Sequence, residues 1–334
     1  GAPDNLSPHP LSPPIFTGGV TEREDMAGSI PEMTLAPGGR AMPLLALGTA
    51  SYPQDPPAVK EAVLHAIRLG YRHFDTAALY LSERHLGEAV AQATRLGLLS
   101  SRADVFVTSK LWCSDAHRDL VLPALRATLE NLQMEYLDLY LVHWPMRCTP
   151  GKIIFPLEEE DVLPLDISSV WEAMEECQRL GLVRSIGVSN FSPDHLDQLL
   201  ATAKIRPAVN QVEMHPVWQQ RQTREYCRDN GIHVTAYSPL GGQDMAQSRN
   251  RVLDCSVLYE IATSRGKTVA QVSLRWLYEQ GVGIIVKSFN PDRMNENLQI
   301  FDWELTEEET QKIERIEQHQ KYPLDAIIRR AGPF

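Results

Sequence analysis

Short apolar runs alternate with helix-spaced apolar stripes along most of this chain. Met33-Thr34-Leu35, the turn Pro37-Gly38-Gly39 and Ala41-Met42 predict a small β-hairpin. A first strand follows at 44–48. Val59, Ala62, Val63, Ala66 and Ile67 then fall at helical spacing, and Gly70 reads as the C-cap that closes that helix. The rhythm persists, with strands predicted at 71–75, 105–109, 137–143, 183–188, 208–212, 232–237 and 283–287. Helices are predicted at 83–95, 119–132, 169–180, 193–200, 219–230, 269–280 and 291–298.

That makes eight strand-helix units whose strands are apolar throughout rather than alternating. Continuous apolar strands are what a parallel sheet covered on both faces requires. The expected fold is an α/β protein, a (β/α)8 TIM barrel of the usual length of about 250 residues plus insertions. An open doubly wound sheet would need an edge strand and a glycine-rich first turn, and no GxGxxG is present.

Two insertions, 147–167 and 241–254, follow the fourth and seventh strands, on the face where barrel enzymes bind substrate. The acidic run Glu158-Glu159-Glu160-Asp161 inside the first reads as a solvated loop tip. Thr306 and Glu309 form a capping box for one more helix, and 322–334 reads as irregular. Residues 1–25 carry Pro3, Pro8, Pro10, Pro13 and Pro14 without apolar periodicity, which predicts a disordered leader or appended segment. A single domain is expected over 26–334.

Composition, 43% hydrophobic and 22% charged over 334 residues, is that of a globular chain with a sizeable core. A net charge of -11 argues against nucleic acid or an anionic membrane as the main partner, while leaving room for a local basic cluster to hold an anionic ligand. Five widely spaced cysteines without a CxxC fit a reducing compartment. No apolar run approaches the roughly 20 residues of a membrane span, and no signal peptide opens the chain. A cytoplasmic protein is expected, with nothing that points to an obligate dimer, so a monomer.

The chemistry gathers where strands end. Asp75 closes the second, with Tyr80 five residues on. Lys110 follows the third and His143 the fourth. If these strands are parallel neighbours, the four polar groups share one face and can handle a proton. Taken singly, an Asp-Lys pair reads as a buried ion pair and a lone histidine as a core residue; convergence of all four favours catalysis. A phenol titrates at about 10, and a nearby cation is expected to lower that toward the working range. No metal-ligand constellation is read.

The motifs Gly-Tyr-Arg-His-Phe-Asp-Thr-Ala (70–77), Leu-Gly-Glu-Ala (86–89), Thr-Ser-Lys-Leu-Trp (108–112) and Leu-Val-His-Trp-Pro (141–145) resemble those of the aldo-keto reductases. So do Ile-Gly-Val-Ser-Asn-Phe (186–191), Asn-Gln-Val-Glu (210–213), Ala-Tyr-Ser-Pro-Leu (236–240) and Val-Lys-Ser-Phe (286–289). The resemblance runs from Met26 nearly to the end. It implies that Tyr80 protonates a carbonyl oxygen, that Lys110 stabilises the phenolate, that Asp75 orients Lys110, and that His143 aligns the carbonyl.

It also implies NADPH as cofactor, reducing small-molecule aldehydes or ketones. Lys287, Ser288 and Arg293 would clamp the 2′-phosphate beside Phe289, with help from the last loops and a helix N-terminus. Glu296 and Asn297 would hold the adenine, and Ser189, Asn190 and Gln211 the carboxamide. Tyr237 would stack on the nicotinamide, with Ser238 and Leu240 beside the cofactor. Ala50, Trp112 and Trp144 would line the substrate pocket, Ala50 standing where aldose reductases carry a tryptophan. Val286 replaces a proline common in relatives. Val-Lys-Ser-Phe and Trp-Gln-Gln-Arg (218–221) resemble the plant branch of chalcone (polyketide), codeinone and deoxymugineic acid-forming reductases. That branch commonly ends in an acidic, tryptophan-bearing tail after Gly-Pro-Phe, so a chain ending at Phe334 implies a shortened last loop. The alternative class is a non-catalytic, NADPH-binding barrel that works through partner surfaces.

Overall fold

In the computed structural model, which describes residues 29–329 apart from 36–39, 52–54, 152, 154 and 243–249, eight parallel strands close into one barrel in chain order. They are β1 Leu45–Gly48, β2 His73–Asp75, β3 Phe106–Leu111, β4 Leu137–Val142, β5 Val183–Ser189, β6 Val209–Glu213, β7 His233–Tyr237 and β8 Gly283–Val286. Strand β8 returns to β1, pairing Ile285 with Ala46. Every residue of β1 to β4, β6 and β8 is buried, which suits their apolar runs, although β2, β3 and β6 also bury polar residues such as Asp75, Lys110 and Gln211.

Helices α1 Pro56–Leu69, α2 Glu83–Arg95, α3 Arg118–Leu132, α4 Ile167–Arg179, α5 Pro193–Leu200 and α6 Arg221–Asp229 follow β1 to β6 in turn. Two helices, α7 Ser256–Arg265 and α8 Val269–Glu279, follow β7, and α9 Pro291–Asn297 and α10 Glu307–Glu314 follow β8. Their ends are written locally. The Asp55 side chain accepts the Ala58 N–H ahead of α1, and Gly70 ends it at φ +101°. Capping boxes open α5, α8 and α10 through Ser192, Thr268 and Thr306. Gly87 has a packing reason: a Cβ there would lie 2.2 Å from the Leu132 carbonyl oxygen, so only glycine lets α2 rest on the end of α3.

The predicted hairpin is Glu32–Thr34 paired antiparallel with Ala41–Pro43. Leu35 and Met42 pack with Phe106, Leu139, Leu141 and Val209 in one buried cluster that stops the amino-terminal end of the barrel. The expected turn Pro37-Gly38-Gly39, the expected leader and Gly332-Pro333-Phe334 lie outside the described residues.

Three elements differ from expectation. Helix α7 was missed, because Val257, Leu258, Ile261 and Ala262 are interleaved with polar residues in a stretch rich in poor helix formers; packing on α8 and α10 holds it. The tail is not irregular: a 3-10 turn spans Leu324–Ile327, and Ile328–Arg329 pairs in parallel with Leu157–Glu158. That pairing ties the chain's end to the first insertion, which also carries an antiparallel pair, Arg147–Cys148 with Val162–Leu163. In the acidic run Glu159 and Glu160 are exposed, as a solvated tip requires, while Glu158 and Asp161 are half-buried.

Candidate active site

The carboxyl ends of β2, β3 and β4 bring the four proton-handling residues together. Asp75 is the last residue of β2, and Tyr80 ends the 3-10 turn Ala78–Tyr80 that follows it. Lys110 lies inside β3 rather than after it, one residue before the strand ends, and His143 directly follows β4. The Lys110 ammonium is fully buried and donates to Asp75 Oδ1 at 2.5 Å and to the Thr76 carbonyl at 3.0 Å. It reaches Tyr80 Oη at 3.4 Å, and His143 Nε2 stands 3.4 Å from the same oxygen. Both contacts are at the long edge for hydrogen bonds. Lys110 can only donate to this oxygen, so it does not take the phenol proton.

Electrostatics sort the roles. Burial pushes the Tyr80 phenol above its ordinary value, and Lys110, which pulls the other way, does not reverse it. Lys110 lowers the phenol as expected, but desolvation outweighs a cation 3.4 Å away and sets the net direction upward, so Tyr80 holds its proton. Burial works against the Lys110 ammonium too, but Asp75, Tyr80 and their hydrogen bonds together hold it above its usual range. Burial, seconded by Lys110, holds His143 well below, so its ring is neutral.

A second layer fixes this group. Gln211, from β6 across the barrel, donates through Nε2 to Asp75 Oδ2 at 2.9 Å. Ser189 Oγ donates to the Gln211 carbonyl, and Asn190 Nδ2 to the His143 carbonyl at 3.0 Å. Tyr237 Oη donates to Asn190 Oδ1 at 2.8 Å. Ser189, Asn190, Gln211 and Tyr237 therefore meet beside the tetrad, as expected. Ser238 follows at φ +48°, its carbonyl taken by the Gly241 N–H.

The phosphate-clamp candidates meet elsewhere on the same face. A cavity of about 450 Å³ is lined by Leu240, Lys287, Ser288, Phe289, Arg293, Glu296 and Asn297, among others. Lys287 is held below its ordinary value by burial and then by Arg293, so two cations face one cavity, an arrangement that an anion relieves. Helix α9 starts at this cavity, with Asn290 and Pro291 in its lining and the Asn290 side chain taking the Arg293 N–H. Glu296 accepts from Thr268 Oγ1 at 2.7 Å, and Asn297 is buried.

Trp112 and Trp144 are buried with Met146, Leu157 and Ile327 in an apolar cluster beside the tetrad, and Trp112 packs edge-on to His143. Ala50 is exposed, next to Thr49, whose hydroxyl donates to the Asp75 carbonyl at 3.0 Å. Sequence reasoning missed Phe155, an exposed ring edge-on to Trp112, and Glu83. Buried Glu83 accepts from Ser109, Thr128 and Asn131, anchoring β3 one residue before Lys110. A buried glutamate at the start of a helix looks in sequence like an ordinary first-turn acid. Among the described residues, no group of His, Cys, Asp or Glu is placed to hold a metal, and no helix is long and apolar enough to cross a membrane.

Comparisons with known proteins agree with this geometry. Residues 44–318 match the model of the Aldo/keto reductase family. The chain is 55% identical to a (1S)-1,7-diacetoxy-luvungin A aldo-keto reductase of Citrus sinensis, over 92% of this chain and 96% of that protein. It is 57% identical to deoxymugineic acid synthase 1 of Zea mays, over 89% and 95% respectively. Among solved structures, a Bombyx mori aldo-keto reductase in complex with NADP superposes with a TM-score of 0.79 at 36% identity, covering 89% of this chain and 96% of that one.

Proposed function

The chain belongs to the aldo/keto reductase family, and from that premise we propose that it reduces aldehydes and ketones to alcohols with NADPH, Tyr80 acting as the general acid. The observation that carries this reading is one ring of contacts: a buried Asp75–Lys110 pair, with Tyr80 3.4 Å from both Lys110 and neutral His143. Bound NADPH supplies a hydride to the carbonyl carbon.

The chain's own residues do the rest. Tyr80 keeps its proton until a carbonyl oxygen accepts it, since Lys110 and His143 protonated at Nε2 can only donate to its oxygen. As the proton leaves, Lys110 faces a phenolate rather than a phenol, and the ammonium that Asp75 has fixed stabilises it without reorganising. Neutral His143, protonated at Nε2, donates to the carbonyl oxygen and aligns it, while its main-chain carbonyl is tied to Asn190. The apolar cluster around Trp112 and Trp144 keeps water from the developing charge.

The residues present fit the cofactor. Lys287 and Arg293 are the cations of the cavity and Ser288 its hydroxyl, and they suit the 2′-phosphate that separates NADPH from NADH. Glu296 and Asn297, which line the same cavity, suit the adenine, and Tyr237, Ser189, Asn190 and Gln211 serve the nicotinamide end. The chain works as a cytoplasmic monomer, which its five free cysteines suit. Its carbonyl substrates are plant metabolites or xenobiotics, as the chemistry of its plant relatives suggests.

The test is NADPH oxidation, followed by absorbance, across activated aldehydes and quinones. Turnover is expected with several of them; tight NADPH binding with silence across the panel would favour the non-catalytic barrel. Two variants refine the reading. Arg293→Ala should weaken NADPH by about 1.5 to 3 kcal/mol, the worth of a charged hydrogen bond, and leave NADH nearly unchanged. Equal loss for both nucleotides would mean Arg293 does not read the 2′-phosphate. Ala50→Trp should depress kcat/KM for polycyclic ketones while small aldehydes keep theirs, because the exposed methyl leaves room an indole would fill. A uniform loss with a lowered Tm would mean overpacking, which costs about 1 to 3 kcal/mol.

A further inference from the structure

Glu213 is the last residue of β6, two beyond Gln211, and it is buried to 1% exposure. Its carboxylate is spent on the C-terminal segment. Oε2 accepts the main-chain N–H of Tyr322 at 2.8 Å, and both oxygens accept that of Lys321, at 3.1 and 3.2 Å. His215 Nε2 lies 3.0 Å from Oε1 and holds the carboxylate from the other side. Upstream, the His319 N–H donates to the Val217 carbonyl, so the segment runs along the loop after β6 before it reaches Glu213.

What the carboxylate holds in place lies over the nicotinamide end of the site. The Tyr322 ring stands 6.3 Å from Tyr237, centroid to centroid. Its hydroxyl sits so close to Gly242 that a Cβ there would meet it at 2.7 Å. Lys321 Nζ donates to the Gly241 carbonyl at 3.4 Å. Gly241 and Gly242, at φ +79° and +63°, are the root of the insertion that follows β7. One buried carboxylate thus links β6, the C-terminal segment, Tyr237 and that root.

We propose that Glu213 is a positioning residue for the cofactor. By holding the Lys321 and Tyr322 N–H groups it presses Tyr322 against Gly242 and Tyr237, and so sets how fast NADPH leaves. This rests on the reading that Tyr237 faces the nicotinamide. Burying a carboxylate costs far more than is needed to dock a tail that main-chain carbonyls could hold. The latch is made of charge-assisted hydrogen bonds, and Tyr322 is only half-buried, so the segment can swing away and return without unpacking the barrel.

The experiment is stopped-flow release of NADPH from wild type, Glu213→Gln, Tyr322→Ala and the double variant, with Tm recorded for each. An amide keeps one acceptor oxygen but loses the charge and puts an NH2 donor where the second oxygen stood, so the N–H groups of Lys321 and Tyr322 are held less firmly. Glu213→Gln should therefore release NADPH about tenfold faster, as expected from loss of a charge-assisted hydrogen bond. Tyr322→Ala should match it, and the double variant should be no faster than either, because both act through one contact. Unchanged release in both single variants, or effects that multiply in the double, would overturn the latch. Should Glu213→Gln fail to fold, Tyr322→Ala carries the test alone, with unchanged release again the overturning result. A wild type that holds no NADPH would instead overturn the cofactor reading on which the latch rests.

Discussion

Replacing Tyr80 with phenylalanine lowers turnover by about two to four orders of magnitude, the range general acid catalysis supplies. The ring stays, so packing against His143 and Lys110 is kept, and only the group that carries the proton is removed. NADPH affinity should hardly change, since the cations Lys287 and Arg293 line a cavity that Tyr80 does not. Single-turnover rates at saturating NADPH give the comparison, and wild-type turnover in the variant would remove Tyr80 from the chemistry. The wild-type phenol sits above its ordinary value, so acid-form activity should persist through neutral pH and fall only on the strongly alkaline side.

Asp75→Ala is expected to damage stability and rate together. It leaves the Lys110 ammonium buried with only the Thr76 carbonyl and the Tyr80 hydroxyl as partners. Breaking a buried pair on one side costs about 3 to 5 kcal/mol. In the wild type Lys110 is held above its ordinary value. Its contribution to stability is therefore full below the unfolded value of about 10.4 and is lost only as pH rises through the folded value. In the variant burial acts with little opposition, and the lysine falls below its unfolded value. The unfolded chain then binds more protons, so stability rises with pH up to about 10.4. Urea unfolding at neutral and alkaline pH reads this sign directly. Turnover should drop about a hundredfold or more, since the phenolate loses a preorganised cation. A variant within 1 kcal/mol of wild type, flat with pH, would mean that the pair is dispensable.

The fold was legible because a parallel barrel writes itself in runs. Strands buried on both faces are largely apolar, and Gly70 and Thr306 mark helix ends through local backbone freedom and a local side-chain cap. The tetrad was legible for a related reason: polar residues closing apolar strands are costly to place unless the barrel mouth uses them. Helix α7 was not, since its stability comes from neighbours rather than from its own pattern. Pairing of Ile328–Arg329 with Leu157–Glu158 joins segments far apart in sequence, and two-residue strands carry no periodicity to read.

The sequence by itself determined the order of the eight barrel strands and the end of the barrel at which Asp75, Tyr80, Lys110 and His143 gather. These follow from side-chain polarity and local backbone preference, which act over a few residues. Only the tertiary structure decided how those residues behave. Burial, a property of everything packed around Tyr80, raises its phenol against the pull of Lys110. The bond from Gln211 to Asp75 depends on barrel closure bringing β6 opposite β2. Glu213 looks in sequence like any strand-end acid; its hold on Lys321 and Tyr322 exists because the chain's end folds back across the barrel. Distances between residues a hundred positions apart are set by packing, and packing is what a linear pattern does not contain.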